Sequence, residues 1–196
     1  MIESLKEIRE LLIIVDMVNG FVKEGILANS EYMKIVPKQI ELIKMFIERR
    51  QGILFIKDTH TDNSVEFKCF PVHCLKGTKE SQLIDELKTY EDYGISIEKN
   101  STSFIFADGF LKLINEMDNL KRVVGCGVLH DICVPNGFIP LKNYFNQINR
   151  DVEIIIPKDT IDTYDSEEHN KNEYAHASDL LMEQSGIKLV KSIKNI

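Results

Sequence analysis

Five short runs of apolar, largely β-branched residues recur along the chain, at residues 11–15 (LLIIV), 53–57 (ILFIK), 95–98 (ISIE), 122–127 (RVVGCG) and 152–157 (VEIIIP). Most are too continuously apolar to present one wet face, so they read as strands covered on both sides. Segments with apolar residues at helical spacing lie between them, over 35–50, 81–89, 106–117, 134–149 and 170–184, the second opened by Thr78 and Ser81 as cap residues. This alternation predicts an α/β fold: a three-layer α/β/α sandwich around a mainly parallel sheet. The 196 residues contain no repeat, low-complexity tract or linker, so the expectation is a single domain over 1–196, with the lysine-containing tail after Val190 dispensable.

Open sheets of this kind bind ligands beyond the carboxyl ends of their strands. Asp16 directly follows the first run, Asp58 and His60 the second, and Lys99 the third. The turn GVLHDICV, with Cys133, follows the fourth. Four successive strand ends thus deliver an acid, an acid–histidine pair, a lysine and a cysteine to one edge of the sheet.

Composition narrows the classes of partner. A net charge of −7 and a pI near 5.3 argue against nucleic acid, which needs a concentrated positive field. The apolar run at 11–15 is shorter than a signal-peptide core and far shorter than the ~20 residues of a membrane span. The chain therefore reads as cytoplasmic and soluble, with no membrane partner. Its four cysteines, Cys69, Cys74, Cys126 and Cys133, read as free thiols: no export signal calls for disulfides, and no C-x-x-C pair suggests a thiolate zinc cluster.

Cys133 lies between a glycine-containing turn and an apolar helical segment, which places it in the first turn of a helix. There the helix dipole and a neighbouring Lys99 ammonium favour thiolate, the form that acts as a nucleophile. Taken alone, the same cysteine reads equally well as a small buried hydrophobe. Asp16 suits a general acid–base role beside that thiol, or an ordinary turn role within DMVNGF. Lys99 alone reads as solvated. Asp58 and His60 sit two apart, so extended chain points both to one side. The segment EFKCFPVHCLKGT adds Glu66 and His73. Two imidazoles and two carboxylates suit one divalent transition metal, zinc first, with manganese or iron(II) as alternatives; otherwise the histidines bond local backbone.

The blocks LLIIVDMVNGF, KDTH, EFKCFPVHCLKGT, EKNSTSF and VVGCGVLHDICV resemble, in order, the motif blocks of nicotinamidases within the isochorismatase-like cysteine hydrolase superfamily. The resemblance runs from about residue 11 to 134, with a looser IIIPKDTIDTY afterwards. It implies Asp16, Lys99 and Cys133 as a catalytic triad, and Asp58, His60, Glu66 and His73 as metal ligands. It also implies a cis peptide between Val128 and Leu129, with the backbone N–H groups of Leu129 and Cys133 as an oxyanion hole. Phe21 and Phe70 match the positions that flank a pyridine ring, and Gly77 lets the EFKCFPVHCLKGT segment turn. Three features depart from the family pattern. His130, read as an exposed loop residue in preference to a donor behind the site, replaces a threonine; Val18 stands where many relatives carry glutamine; and PNGFIPLKNYF replaces a stretch of small residues.

The expected function is hydrolysis of nicotinamide to nicotinate and ammonia through a thioester. The expected partner is a small-molecule amide, and a homo-oligomer is allowed. Two rivals are kept: the same triad acting on another small amide, ureido compound or ether, and a non-enzymatic binding or scaffold protein of the same fold.

Overall fold

The computed structural model describes residues 4–196. One seven-stranded sheet forms its centre, built from β1 (Glu10–Val15), β2 (Gly52–Asp58), β3 (Ile95–Lys99), β4 (Arg122–Val128), β5 (Glu153–Pro157), β6 (Ile161–Asp162) and β7 (Lys188–Val190). The order is β3-β2-β1-β4-β5-β7, with β6 pairing the end of β4, and every pairing is parallel. Parallel neighbours cannot be joined by a tight hairpin, and crossovers put helices on both faces. The three main ones are α2 (Val36–Glu48), α5 (Cys133–Gln147) and α6 (Lys171–Gln184); α1 (Asn19–Val22), α3 (Asp85–Lys88) and α4 (Phe110–Glu116) are shorter. None is long and apolar enough to cross a membrane.

Alternate residues of each central strand enter two separate cores. Ile13, Val15, Leu54 and Ile56 meet Phe110, Phe138, Leu141 and Phe145 of α4 and α5, while Leu12, Ile14 and Phe55 meet Leu42, Ile43 and Phe46 of α2. Full burial of each such side chain contributes about 1.5–3 kcal/mol, so the continuous apolar strands are stabilised from both faces. Gly127 makes the close fit at the sheet's carboxyl edge possible. It has φ +123°, lies beside Val15 in the β1–β4 register, and a Cβ there would stand 2.0 Å from the Val15 carbonyl oxygen.

All five expected strands are present, with ends shifted by a residue or less; β6 and β7 were not expected. Two other expectations need correction. The helix expected over 81–89 is one turn, α3, and Thr78 and Ser81 do not cap it: their hydroxyls donate to Leu75 O and Thr78 O. Residues 80–84 instead pair with the segment after β1, through Asn19 N to Gln82 O, Gly20 N to Glu80 O and Ile84 N to Met17 O. The tail after Val190 is docked: Ile193 is buried in the α2-side core, and Asp159 accepts from Ser192 Oγ and Ile193 N.

Candidate active site

The sheet's carboxyl edge gathers the residues that the strand-end rule singled out. Asp16 follows β1 in the left-handed conformation, φ 54°. Asp58 and Lys99 end β2 and β3 directly opposite one another in register. β4 ends in a cis peptide between Val128 and Leu129, and the turn that follows feeds α5, whose first residue is Cys133. Asp16, Asp58, Lys99 and Cys133 are all buried.

Lys99 ties them together. Its Nζ donates to Asp58 Oδ1 at 2.6 Å and to Cys133 Sγ at 3.7 Å, and stands 2.9 Å from Asp16 Oδ2. The approach to Asp16 is an ion-pair contact outside hydrogen-bond geometry, so neither Asp16 oxygen accepts a well-directed hydrogen bond among the described residues. Charge then separates the two carboxyls. Burial pushes Asp16 up to about 7, against the pull of Lys99, with Asp58 adding to the rise. Burial also opposes ionisation of Asp58, but Lys99 and the two histidines outweigh it and hold that carboxyl well below its ordinary range. Neighbouring acids driven apart in this way are suited to different tasks, one as fixed charge and one as proton carrier.

The thiol differs from the expectation that helix end and lysine would favour thiolate. Burial pushes Cys133 well up, Lys99 pulls it down, and the carboxylates of Asp16 and Asp58 push it up again. In this environment the resting sulfur keeps its proton and needs a base beside it. Asp16, whose own carboxyl is raised by burial, meets the same Lys99 ammonium as Cys133 Sγ and is the carboxyl suited to that task.

On the other side of Asp58 lies a metal-type donor set. Asp58 Oδ2 is 2.8 Å from His60 Nε2 and 3.0 Å from His73 Nε2, and the two Nε2 atoms are 3.2 Å apart. His73 Nδ1 faces the Pro71 carbonyl at 2.7 Å, and His60 Nδ1 faces Asn100 Oδ1 at 2.9 Å. Both oxygens are acceptors, so each ring presents Nδ1 to an acceptor and turns its Nε2 toward the other ring and the Asp58 carboxylate. Three buried lone-pair donors facing inward, with ring orientation fixed from behind, suit a divalent cation. Glu66 stands at the edge of this trio, Oε1 3.7 Å from His60 Nε2.

Phe21 and Phe70 both lie beside His73, with ring centroids 5.5 and 6.3 Å away. The backbone N–H groups of Leu129 and Cys133 donate to no protein acceptor among the described residues, whereas Ile132 N and Val134 N both donate to Leu129 O. Sequence reasoning missed Asn100, which orients His60; Ser64, 3.3 Å from His60 Nδ1; and Phe67, whose ring lies 5.2 Å from His60 and 5.8 Å from His73. Only Asn100 carried a signal, its place directly after Lys99 at a strand end.

His130 is a correction. It is not an exposed loop residue but is buried beneath α6, Nε2 2.7 Å from Asp179 Oδ1, and its carbonyl accepts from Ser178 Oγ. The partners lie 48 and 49 residues along the chain, which no local pattern reveals.

A sequence model of the isochorismatase domain matches residues 10–183. Nicotinamidase 1 of Arabidopsis thaliana is 30% identical over 138 residues, covering 63% of this chain and 56% of that protein, so the chain spans a little over half of that relative's length. Among solved structures, N-carbamoylsarcosine amidase from Thermoplasma acidophilum is similar with a TM-score of 0.75 and 24% identity, over 95% of this chain and 98% of that one. The pyrazinamidase of Pyrococcus horikoshii in complex with zinc is similar with a TM-score of 0.70 and 25% identity, over 93% and 98%.

Proposed function

The chain belongs to the isochorismatase domain family, and on that premise we propose that it is a metal-dependent cysteine amidohydrolase converting nicotinamide to nicotinate and ammonia. The observation that carries this reading is the position of Lys99, whose single ammonium contacts Asp16, Asp58 and Cys133, so that a metal-type donor set and a thiol share one buried cation. Nicotinamide has a ring nitrogen and a carboxamide at opposite ends, which matches two adjacent centres of different chemistry.

Asp58, His60 and His73, with Glu66 at their edge, would hold the metal, zinc by preference and manganese or iron as alternatives. When bound, it would supply a Lewis acid for the ring nitrogen and so position the ring. Phe21 and Phe70 flank the ring, excluding water and limiting its tilt. Asp16 takes the Cys133 proton as sulfur forms its bond to the carboxamide carbon. The N–H groups of Leu129 and Cys133 receive the oxygen that becomes negative. As the C–N bond breaks, Asp16 returns the proton to the departing nitrogen and ammonia leaves. Water then adds to the thioester, giving a proton to Asp16 as its oxygen bonds the carbon. The C–S bond breaks, that proton returns to sulfur, and the product leaves as nicotinic acid, which gives its carboxyl proton to solvent to become nicotinate.

Ammonia release from nicotinamide, with pyrazinamide and ureido compounds in parallel, tests this reading before and after dialysis against a chelator. Chelation is expected to lower turnover of nicotinamide by about tenfold or more, with zinc restoring it. A rate indifferent to metal removal would overturn the metal role, and release from ureido compounds alone would transfer the chemistry to a different substrate.

The pH profile follows from Asp16. A base must be ionised in the free enzyme, and burial has raised this one to about 7. The value of kcat/KM is therefore expected to rise with pH through about 7 and to fall tenfold per unit on the acid side. An acid limb in the ordinary carboxylate range would assign the base elsewhere.

A further inference from the structure

Pro140 lies inside α5. Lacking an N–H, it cannot supply the helical hydrogen bond to the carbonyl four residues earlier, that of Asn136. The carbonyl has another donor: Ser103 Oγ reaches Asn136 O at 2.6 Å. The Asn136 side chain replies, Nδ2 donating to Thr102 Oγ1 at 3.2 Å. Next to it the Phe104 ring rests against Gly137, where a Cβ would stand 2.0 Å from Phe104 Cε1. Ser101 Oγ donates to Ser103 O at 3.2 Å and steadies the same loop.

These contacts join two particular pieces of chain. The loop 101–104 starts two residues after Lys99, and Asn136 and Gly137 lie one turn into the helix that starts at Cys133. The stretch PNGFIPLKNYF, which departs from the family pattern in the sequence, is thereby explained: its glycine admits the Phe104 ring, and its proline leaves a carbonyl free for the lysine-bearing loop. Ser103 is buried, so solvent has little access to take its place.

We propose that Ser103 is a positioning residue. By donating to the Asn136 carbonyl that Pro140 leaves without a helical partner, its hydroxyl sets the Cys133 helix against the Lys99 loop and fixes the 3.7 Å separation of Lys99 Nζ and Cys133 Sγ. The inference rests on the proposed roles of Lys99 and Cys133. Misplacement of reacting groups by about 1 Å costs up to ~100-fold in rate, which sets the scale of the expected effect.

The test is a cycle of Ser103→Ala, Pro140→Ala and the double variant in the full, metal-loaded chain. Ser103→Ala is expected to lower kcat for nicotinamide by roughly 10- to 100-fold with KM within about twofold, and to slow alkylation of Cys133 by iodoacetamide severalfold. Pro140→Ala alone is expected to stay near wild type. In the double variant the alanine introduced at 140 has an N–H for Asn136 O, so both kcat and alkylation recover to within about threefold of wild type. Full kcat in Ser103→Ala overturns the proposal, as does a double variant no better than Ser103→Ala, because a serine acting only in stability or through another contact gains nothing from a donor at 140. Alkylation needs no substrate. If wild type releases no ammonia from nicotinamide, the substrate reading fails, while the alkylation cycle still decides the role of Ser103.

Discussion

Cys133→Ala is expected to lower ammonia release from nicotinamide by about 10⁵-fold or more while leaving the fold intact. Removing a catalytic nucleophile typically costs ~10⁶ in kcat, and binding and oxyanion contacts leave a residue of activity above the uncatalysed rate. Alanine keeps the Cβ and suits the first turn of a helix, so the loss reports chemistry rather than unfolding. No other thiol is placed to substitute. Cys74 and Cys126 are buried, with their thiols pushed up by that burial, and Cys69 is exposed. Steady-state ammonia release, with rapid-quench detection of the acyl-enzyme in wild type, checks it. Activity within tenfold of wild type, at an unchanged melting temperature, would move the nucleophile away from sulfur and leave the donor trio as the reacting centre. Because the resting thiol keeps its proton, Asp16→Asn should approach the same loss, and the two substitutions together should cost little more than either alone.

The parts of this site that were legible in the sequence share one property: each is fixed by backbone rules over short range. A residue that ends a parallel strand lies at the carboxyl edge whatever its neighbours do, so Asp16, Asp58, Lys99 and the turn before Cys133 could be placed together from five apolar runs. Asp58 and His60 followed from the two-residue period of extended chain. What escaped depends on long-range packing. The burial of His130 requires α6 to fold over the turn after β4, and β7 and the docked Ile193 require the chain to return to the far side of β5. The helix expected at Ser81 failed because the backbone there bonds across to residues 17–20. Asn100 and Ser103 sat within the quoted EKNSTSF block without roles, since a lone asparagine or serine after a strand reads as loop chemistry until its acceptor is known. The state of the thiol was missed for a related reason. The helix end, the lysine and the two carboxylates are visible in the sequence, but the strength of the burial that outweighs the lysine is not.

Lys99→Met is the second large effect, and it separates architecture from chemistry. Burial alone would favour a neutral lysine, yet Asp16 and Asp58 raise its affinity for a proton well above the ordinary value. The ammonium is thus a fixed, fully buried charge between two carboxylates. Removing one partner of a buried, hydrogen-bonded ion pair costs about 3–5 kcal/mol, because the remaining charge loses its compensation. For a chain of this size each kcal/mol shifts the melting temperature by roughly 2–4 °C, so a fall on the order of 10 °C is expected. Turnover should fall by at least ~10³-fold, since neither the sulfur anion nor Asp16 then has a cation beside it. Adding Asp16→Asn removes one of the stranded carboxylates, so the double variant should regain a good part of the lost stability and none of the activity. Thermal melts and ammonia release on the same preparations read the two effects separately. A Lys99→Met variant that melts with wild type would mean that the carboxylates are already compensated without it, and recovery of turnover in the double variant would remove Asp16 from the proton path.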